Sequence, residues 1–466
     1  MRVLNIKSTI LLSTGFIFLV LTGCKKFLYQ EPHNNLSISD IFNDVEGART
    51  TLAGCYDNLK SYDYYVRTFS IYPEVTSGNI KYSKAANQAL FLTYNFSNDS
   101  ITNDMSGFYE QAYSTIYNAN SIIENVTKIG DASVEQRNRF LAEAYSIRAL
   151  VNFDLVRVFA QSYSYTPGAS HAGIIIKNKN TSILDPLPPV SSCKQVFAQV
   201  VSDLDSAILL FPQSMKIFSL GDDRTYFSLD AAKALLCRVS LYMNNWQEVI
   251  SLASDLINSN KYPLIPNSQY VSSWSKKNIS SESIFELAYG SGSGGSLGDY
   301  YNPLNSSYGQ LATTNDLLSL FDPGDVRGSN SMFVAATINS SLYYFSKKYQ
   351  GMNDSANNIK ILRISEIYLN RAEAYAQLND LSNALLDLNT IRKRANPTAV
   401  DYLSGDQQQL LNEIYNERRR ELCFEGQTFF DMSRQRRDLI RIDCTSPNAS
   451  FTYPDKRFAC PKPLIF

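Results

Sequence analysis

Histidine and tryptophan are scarce, with two of each in 466 residues: His33 and His171, Trp246 and Trp274. So little imidazole leaves almost no side chains that titrate near neutrality and almost no nitrogen ligands for zinc, which argues against histidine triads, phospho-relays and histidine-held metals. An excess of one charge is missing as well. Lysine plus arginine number 43 against 44 aspartate plus glutamate, and the net charge of −1 supplies no field to gather nucleic acid. No cysteines are spaced C-x-x-C, and neither G-x-x-x-x-G-K-[ST] nor H-E-x-x-H occurs, so the common redox, nucleotide and zinc-peptidase signatures are absent. Beyond the first residues, no apolar run is long enough to cross a bilayer as a helix. What the chain does have is 44 % apolar residues, enough to bury a core, and 30 tyrosines with 25 phenylalanines. Those rings serve either an aromatic interior or a recognition surface.

The start of the chain reads as an address. Arg2 and Lys7 precede an apolar run from Ile10 to Leu21, too short for a mature span and of the form of a secretory signal. Leu21-Thr22-Gly23-Cys24 then resembles the lipobox of bacterial lipoproteins, in which the cysteine is acylated and becomes the mature first residue. The expectation is a signal peptide over 1–23, lipidation at Cys24 and an extended tether over 24–38. The alternative is an ordinary secreted chain with an incidental thiol. Multiple acyl chains, at about 0.8 kcal/mol per buried methylene, would anchor the protein to a membrane without a spanning segment.

Apolar residues recurring every three or four positions predict helices over Ser39 to about Lys60, capped by Ser37 or Ser39, and over Met105–Val126, Val134–Ala160 and Ser192–Phe211. Two further helix pairs share a layout. Ala231, Leu235, Val239 and Tyr242 are followed by a turn at Asn244-Asn245 and a return helix through Trp246, Val249, Ala253 and Leu256. Ile364, Ile367, Ala372 and Tyr375 are followed by Asn379-Asp380 and a return through Leu381, Ala384, Leu388 and Ile391. Both pairs resemble tetratricopeptide repeats. The fold class expected is mainly α: a single domain over 39–466, its helix pairs forming a scaffold and its loop-rich insertions, the largest about 257–360, carrying the ligand face. Residues 61–100, rich in asparagine and tyrosine, read as excursion loops with short strands. Residues 163–190, with four prolines, read as a connector.

Few motifs carry chemistry. The run Gly290 to Gly298 contains G-x-G, but Asp299-Tyr300-Tyr301-Asn302-Pro303 after it starts no helix to present N–H groups to a phosphate, so a loop is expected. Glycoside hydrolysis needs only two carboxylates across a cleft, a requirement the abundant acids neither meet nor fail by inventory. Glu417 to Arg434 is the densest charge pattern. Its acids interleave with its arginines at helix-neighbour spacing, which predicts guanidinium–carboxylate forks tying a helix to the scaffold. Cys237 and Cys423 fall in helical apolar patterns and read as buried, while Cys444 and Cys460 flank a loop that a disulfide could close. Trp246 is expected in the core, and Trp274 packed or exposed. A sugar presents apolar C–H faces edged by hydroxyls and is held by flat rings with nearby polar groups. Tyrosine clusters on predicted loops offer that mixture, so the candidate ligand residues are Tyr62, Tyr64, Tyr65, Asn79, Tyr82, Tyr94, Tyr300, Tyr301 and Tyr308. No catalytic residue, metal ligand or cofactor is assigned.

Blocks in fixed order carry a wider resemblance: Cys24-Lys25-Lys26-Phe27-Leu28 leading to Pro32; Ala142-Glu143-Ala144 with Arg148-Ala149 and Phe153-Asp154-Leu155-Val156; then Glu417-Arg418-Arg419-Arg420-Glu421-Leu422, Phe424-Glu425-Gly426, Phe429 and Asp431. Together they are similar to the SusD/RagB family. The resemblance implies a non-enzymatic, surface-exposed outer-membrane lipoprotein with four tetratricopeptide-like pairs. It implies a lid on a SusC-like, TonB-dependent β-barrel transporter, taking up glycans or sometimes peptides. Two departures matter. The segment Pro461-Lys462-Pro463-Leu464-Ile465-Phe466 ends the chain where relatives often continue, and glycan contacts in the family lie in variable loops with no shared motif, so none transfers by position. A lipid-anchored glycan hydrolase and a pure protein-binding scaffold remain the competing readings of the residues.

Overall fold

The computed structural model describes residues 38–466 apart from 84–87, 182–184, 213, 220, 275–278, 289–296, 304–309, 350–356, 445, 447 and 465–466. Cys24, Tyr308 and most of the glycine run therefore lie outside the described residues.

Eight helices form four pairs along the chain: α1 (Val45–Leu59) with α2 (Ser106–Asn125), α3 (Val134–Phe159) with α4 (Cys193–Leu210), α5 (Leu229–Tyr242) with α6 (Trp246–Asn258), and α7 (Ile364–Gln377) with α8 (Leu381–Ala395). A ninth helix, α9 (Gln407–Leu422), packs on α7 and α8. Local chemistry sets the ends. Ser133 and Ser192 each close a capping box with a glutamine three residues on, giving α3 and α4 sharp starts. Asn244 and Asn379, both at φ near +60°, make the left-handed residue that lets α5 turn back into α6 and α7 into α8. Both turns have the same layout, as the shared pattern of the two helix pairs predicts. Fully buried Ala231, Ala234 and Ala253 in one pair, and Ala372, Ala376 and Ala384 in the other, let the axes approach closely.

Ion pairs bolt the helices together. Arg148 of α3 forks onto Asp203 of α4 at 2.8 and 2.6 Å, Arg238 of α5 onto Glu366 of α7 at 2.7 and 2.6 Å, and Arg371 onto Asp387 at 2.8 and 2.9 Å. Bidentate forks fix azimuth as well as distance, which apolar packing alone does not.

Two small antiparallel sheets sit beside the helices. One pairs β2 (Ser283–Leu287) with β6 (Ile359–Arg363); the other has four strands in the order β1 (Ile80–Tyr82), β3 (Leu311–Thr313), β5 (Ser341–Ser346), β4 (Phe333–Ile338). The β4–β5 hairpin turns through Asn339 and Ser340, both at positive φ as a two-residue turn requires. The β1–β3 register, Ile80 to Thr313 and Tyr82 to Leu311, sews the first excursion (61–100) to the large insertion. That seam positions the candidate site.

Several expectations are corrected. The first helix breaks after Ile41 and restarts at Val45 with Asp44, not a serine, as its cap. Residues 61–100 are not merely loops and strands, since Thr68–Ser77 is a helix. Every residue of it is buried, so it has no polar face to print a period, and Pro73 inside it disguises it further. Leu297–Tyr301 forms a short helical turn where no helix was expected. Cys444 and Cys460 are separate thiols. Trp274 is buried, and Trp246 packs half-buried against the core.

Candidate functional site

The seam between the two excursions brings together two residues that stand 238 apart in sequence. The hydroxyls of Tyr62 and Tyr300 lie 2.7 Å apart. The Arg67 guanidinium stacks over the Tyr62 ring, 3.9 Å from its centroid, and also donates to the Tyr62 hydroxyl. Asp63 lies 3.9 Å from Arg67 and adds a weaker ion pair. Tyr62 keeps 38 % of its surface, whereas Tyr300 keeps 5 %. Burial and the Tyr62 hydroxyl push the Tyr300 phenol up, with Arg67 pulling against them, so it stays a neutral hydrogen-bonding group. The arrangement is an exposed aromatic plate braced by a buried phenol and a stacked cation. Such a plate loses little rotamer freedom when a flat apolar ligand face settles on it. Arg67 escaped the sequence reading, although an arginine two residues after a tyrosine cluster was a usable signal. Phe91, half exposed on the same excursion, was also passed over.

Most of the other candidates are corrected to structural roles. Tyr64 and Tyr65 are buried, stacked with centroids 4.7 Å apart, and donate to Asp154 at 2.7 and 2.6 Å. Arg157 completes that cluster, reaching Asp154 at 2.5 Å while held between Phe153 and Phe430. Burial pushes the Asp154 carboxyl up, and Arg157 and the two phenols pull it back. This is the physical content of Phe153-Asp154-Leu155-Val156, an interior clasp on the first excursion. Asn79, fully buried, donates to Glu74 and Thr428 at 2.9 Å and accepts from Arg419 at 2.8 Å. Tyr82 donates to the Ala89 carbonyl at 2.6 Å, and Tyr94 lies under Arg441. Tyr301 is buried against Phe424. None of these rings is free to stack on a polymer. Tyr300 braces the plate without serving as one.

The charge-dense C-terminal block forms the forks its spacing predicts. Glu421, fully buried, accepts from Arg363 at 2.5 Å, from Arg327 at 2.8 Å and from Arg394. Burial alone would raise its carboxyl, but Arg394, Arg363, Arg327 and Lys348 together outweigh that and hold it well below the usual carboxylate range. Glu425 binds Arg363 at 2.7 Å and Lys348 at 2.6 Å, and Arg418 and Arg434 meet at Asp431. Because Arg327 and Lys348 come from the insertion and Arg363 ends the strand that leads out of it, this block fastens insertion to scaffold. Among the described residues, no group of His, Cys, Asp and Glu is arranged to hold a metal. No described helix is long and apolar enough to cross a membrane.

Comparison with known proteins agrees with this architecture. Residues 339–439 match the SusD family model, and residues 26–241 match a model described as starch-binding, associating with outer membrane. SusD-like protein P38 of Formosa agariphila is 26 % identical over 489 residues, covering 92 % of this chain and 91 % of that protein. A SusD superfamily protein from Bacteroides thetaiotaomicron VPI-5482 superposes with a TM-score of 0.79 at 25 % identity, covering 89 % and 96 % of the two chains. A SusD-like carbohydrate binding protein from Bacteroides vulgatus ATCC 8482, at 20 % identity, shares the fold with a TM-score of 0.77 over 90 % of this chain and 94 % of its own. With the helix pairs, the arginine-rich block that locks the insertion to them and these matches in agreement, the chain belongs to the SusD/RagB family.

Proposed function

We propose that this protein is a non-enzymatic, cell-surface glycan-binding lipoprotein. It is anchored in the outer membrane through Cys24 and hands oligo- or polysaccharide to a SusC-like, TonB-dependent barrel. The observation that carries the reading is the braced, exposed ring of Tyr62 at the junction of the two excursions, on a scaffold whose N-terminal half matches a starch-binding, outer-membrane-associated model. A sugar ring stacking on Tyr62 would gain apolar contact on its C–H face, and Arg67, Asp63 and the Tyr300 hydroxyl supply donors and acceptors for its rim. The charged groups around the plate are engaged with one another, which suits capture and release of an uncharged ligand more than bond cleavage.

The test is a glycan-array screen of the full chain in detergent, scored for retention and for hydrolysis, with Tyr62→Ala beside the parent. Retention of one polymer class without product, weakened in the variant, is expected. Product formation would replace the capture reading with a hydrolase, and unweakened retention would remove Tyr62 from the site. Co-purification with a TonB-dependent barrel, lost when Cys24 is replaced and the chain leaves the membrane, tests the delivery step.

A further inference from the structure

A second recess lies away from Tyr62, where the C-terminal segment crosses the first excursion. It is a cleft of about 410 Å³ with Tyr72, Phe96 and Phe159 in its wall and Lys456, Arg457 and Lys462 among its lining residues. Its charge balance sets it apart from the other large cleft, of about 460 Å³ near Tyr226. There each cation has a carboxylate: Arg139 with Glu143, Lys216 with Asp223, Arg224 with Asp222 and Lys261 with Asp230. At the C-terminal cleft only Arg457 is paired, to Asp455 at 2.8 Å, and it also stacks on Phe451. Lys456 and Lys462 make no ion pair among the described residues, and Lys462 is half-buried.

Nothing in the wall cancels that positive charge. No acid is among the described lining residues; Asp455 is taken by Arg457, and Asp104 is turned onto the Thr93 amide, from which it accepts at 2.9 Å. Burial pushes the Cys460 thiol up to about 12, so it faces the cleft as a neutral thiol. Burial also pulls the Lys462 ammonium down, the mark of a cation left without a counter-charge. Tyr72 is 2 % exposed and lines the same space.

We propose that this cleft binds an acidic saccharide unit, its carboxylate or sulfate ester on Lys462 with Lys456 at the mouth, and its ring against Phe96 beside the Tyr72 hydroxyl. The saccharide part rests on the glycan-binding reading above; the anion preference rests on the cleft alone. Saturation-transfer NMR on the full chain in detergent, with glucuronate, glucose 6-sulfate, glucose and inorganic sulfate as probes, tests it. Glucuronate or glucose 6-sulfate should bind at least tenfold more tightly than glucose, and whichever does identifies the anion. Lys462→Gln should cost that ligand about tenfold and Tyr72→Phe a few-fold. Tyr62→Ala should leave it unchanged, which separates this site from the first. Equal binding of glucose and glucuronate, or full affinity in Lys462→Gln, overturns the proposal. Tight inorganic sulfate without either sugar acid leaves an anion site and overturns its saccharide part. Loss of neutral-glycan binding at Tyr62 bears only on the earlier reading.

Discussion

Replacing Glu421 by glutamine keeps the shape of the side chain and removes one buried charge that three guanidiniums share. Arg327, Arg363 and Arg394 each place a nitrogen on this carboxylate, and all four residues are almost wholly buried. Leaving a buried charge without its partner costs about 3–5 kcal/mol, and the amide oxygen can satisfy only part of the donor set. With an unfolding entropy of about 2.1 cal/mol/K per residue and roughly 430 residues in the folded part, the entropy is about 0.9 kcal/mol/K. The melting temperature should therefore fall by about 3–6 °C, measured by scanning calorimetry at pH 7. Glu46→Gln, at an exposed pair with Arg49, is the control and should move it by less than about 1 °C. The pH dependence has a definite sign. Because the folded-state Glu421 is held below its ordinary value, the stability it brings is fully present above that value, near 4.5, and is lost as the pH falls toward the lower folded one. The gap between parent and variant should stay constant from about pH 8 to 5 and close below about pH 4.5. A variant melting within about 1 °C of the parent at pH 7, or a gap that widens in acid, would refute the claim that this carboxylate clasps insertion to scaffold.

Tyr62→Ala should weaken binding of a neutral oligosaccharide by roughly 3- to 10-fold in calorimetric titration, the scale of one aromatic contact, with little change in melting temperature. Asp154→Ala removes the acceptor of Tyr64 and Tyr65 and the counter-charge of buried Arg157. It should lower stability by about 3–5 kcal/mol in guanidinium unfolding, and unchanged stability would dissolve the clasp. At the α7–α8 turn, Asn379→Ala puts an alanine at φ +62° and should cost about 1 kcal/mol, while Asn379→Gly should be neutral or stabilising in thermal melts.

The scaffold was legible because its information is local. A period of three to four, a cap and an asparagine turn each lie within one helix pair, so α2 is bounded to within a residue at either end, and α5 to α8 fall where the periods and asparagine turns put them. The forks of Glu417 to Arg434 were legible for the same reason, since acids and arginines at helix-neighbour spacing must meet something of opposite charge. The helix Thr68–Ser77 was not, because amphipathicity is the signal and a helix buried on every side has none. The tyrosines mark the boundary most sharply. Tyr62, Tyr64 and Tyr65 share one turn, one residue type and the same polar neighbours, yet one is exposed and two are core. What divides them is Asp154, supplied by a helix about ninety residues later, which takes both inner phenols and leaves none for the third. Tyr62 turns instead to Tyr300, brought to it by the β1–β3 seam. Composition can thus nominate a cluster, but which ring stays outside is decided by one long-range acceptor. Asp154→Ala tests that division: with the acceptor gone, Tyr64 or Tyr65 has reason to turn outward and compete for the Arg67 face, so the variant should lose glycan affinity as well as stability even though Asp154 touches no ligand.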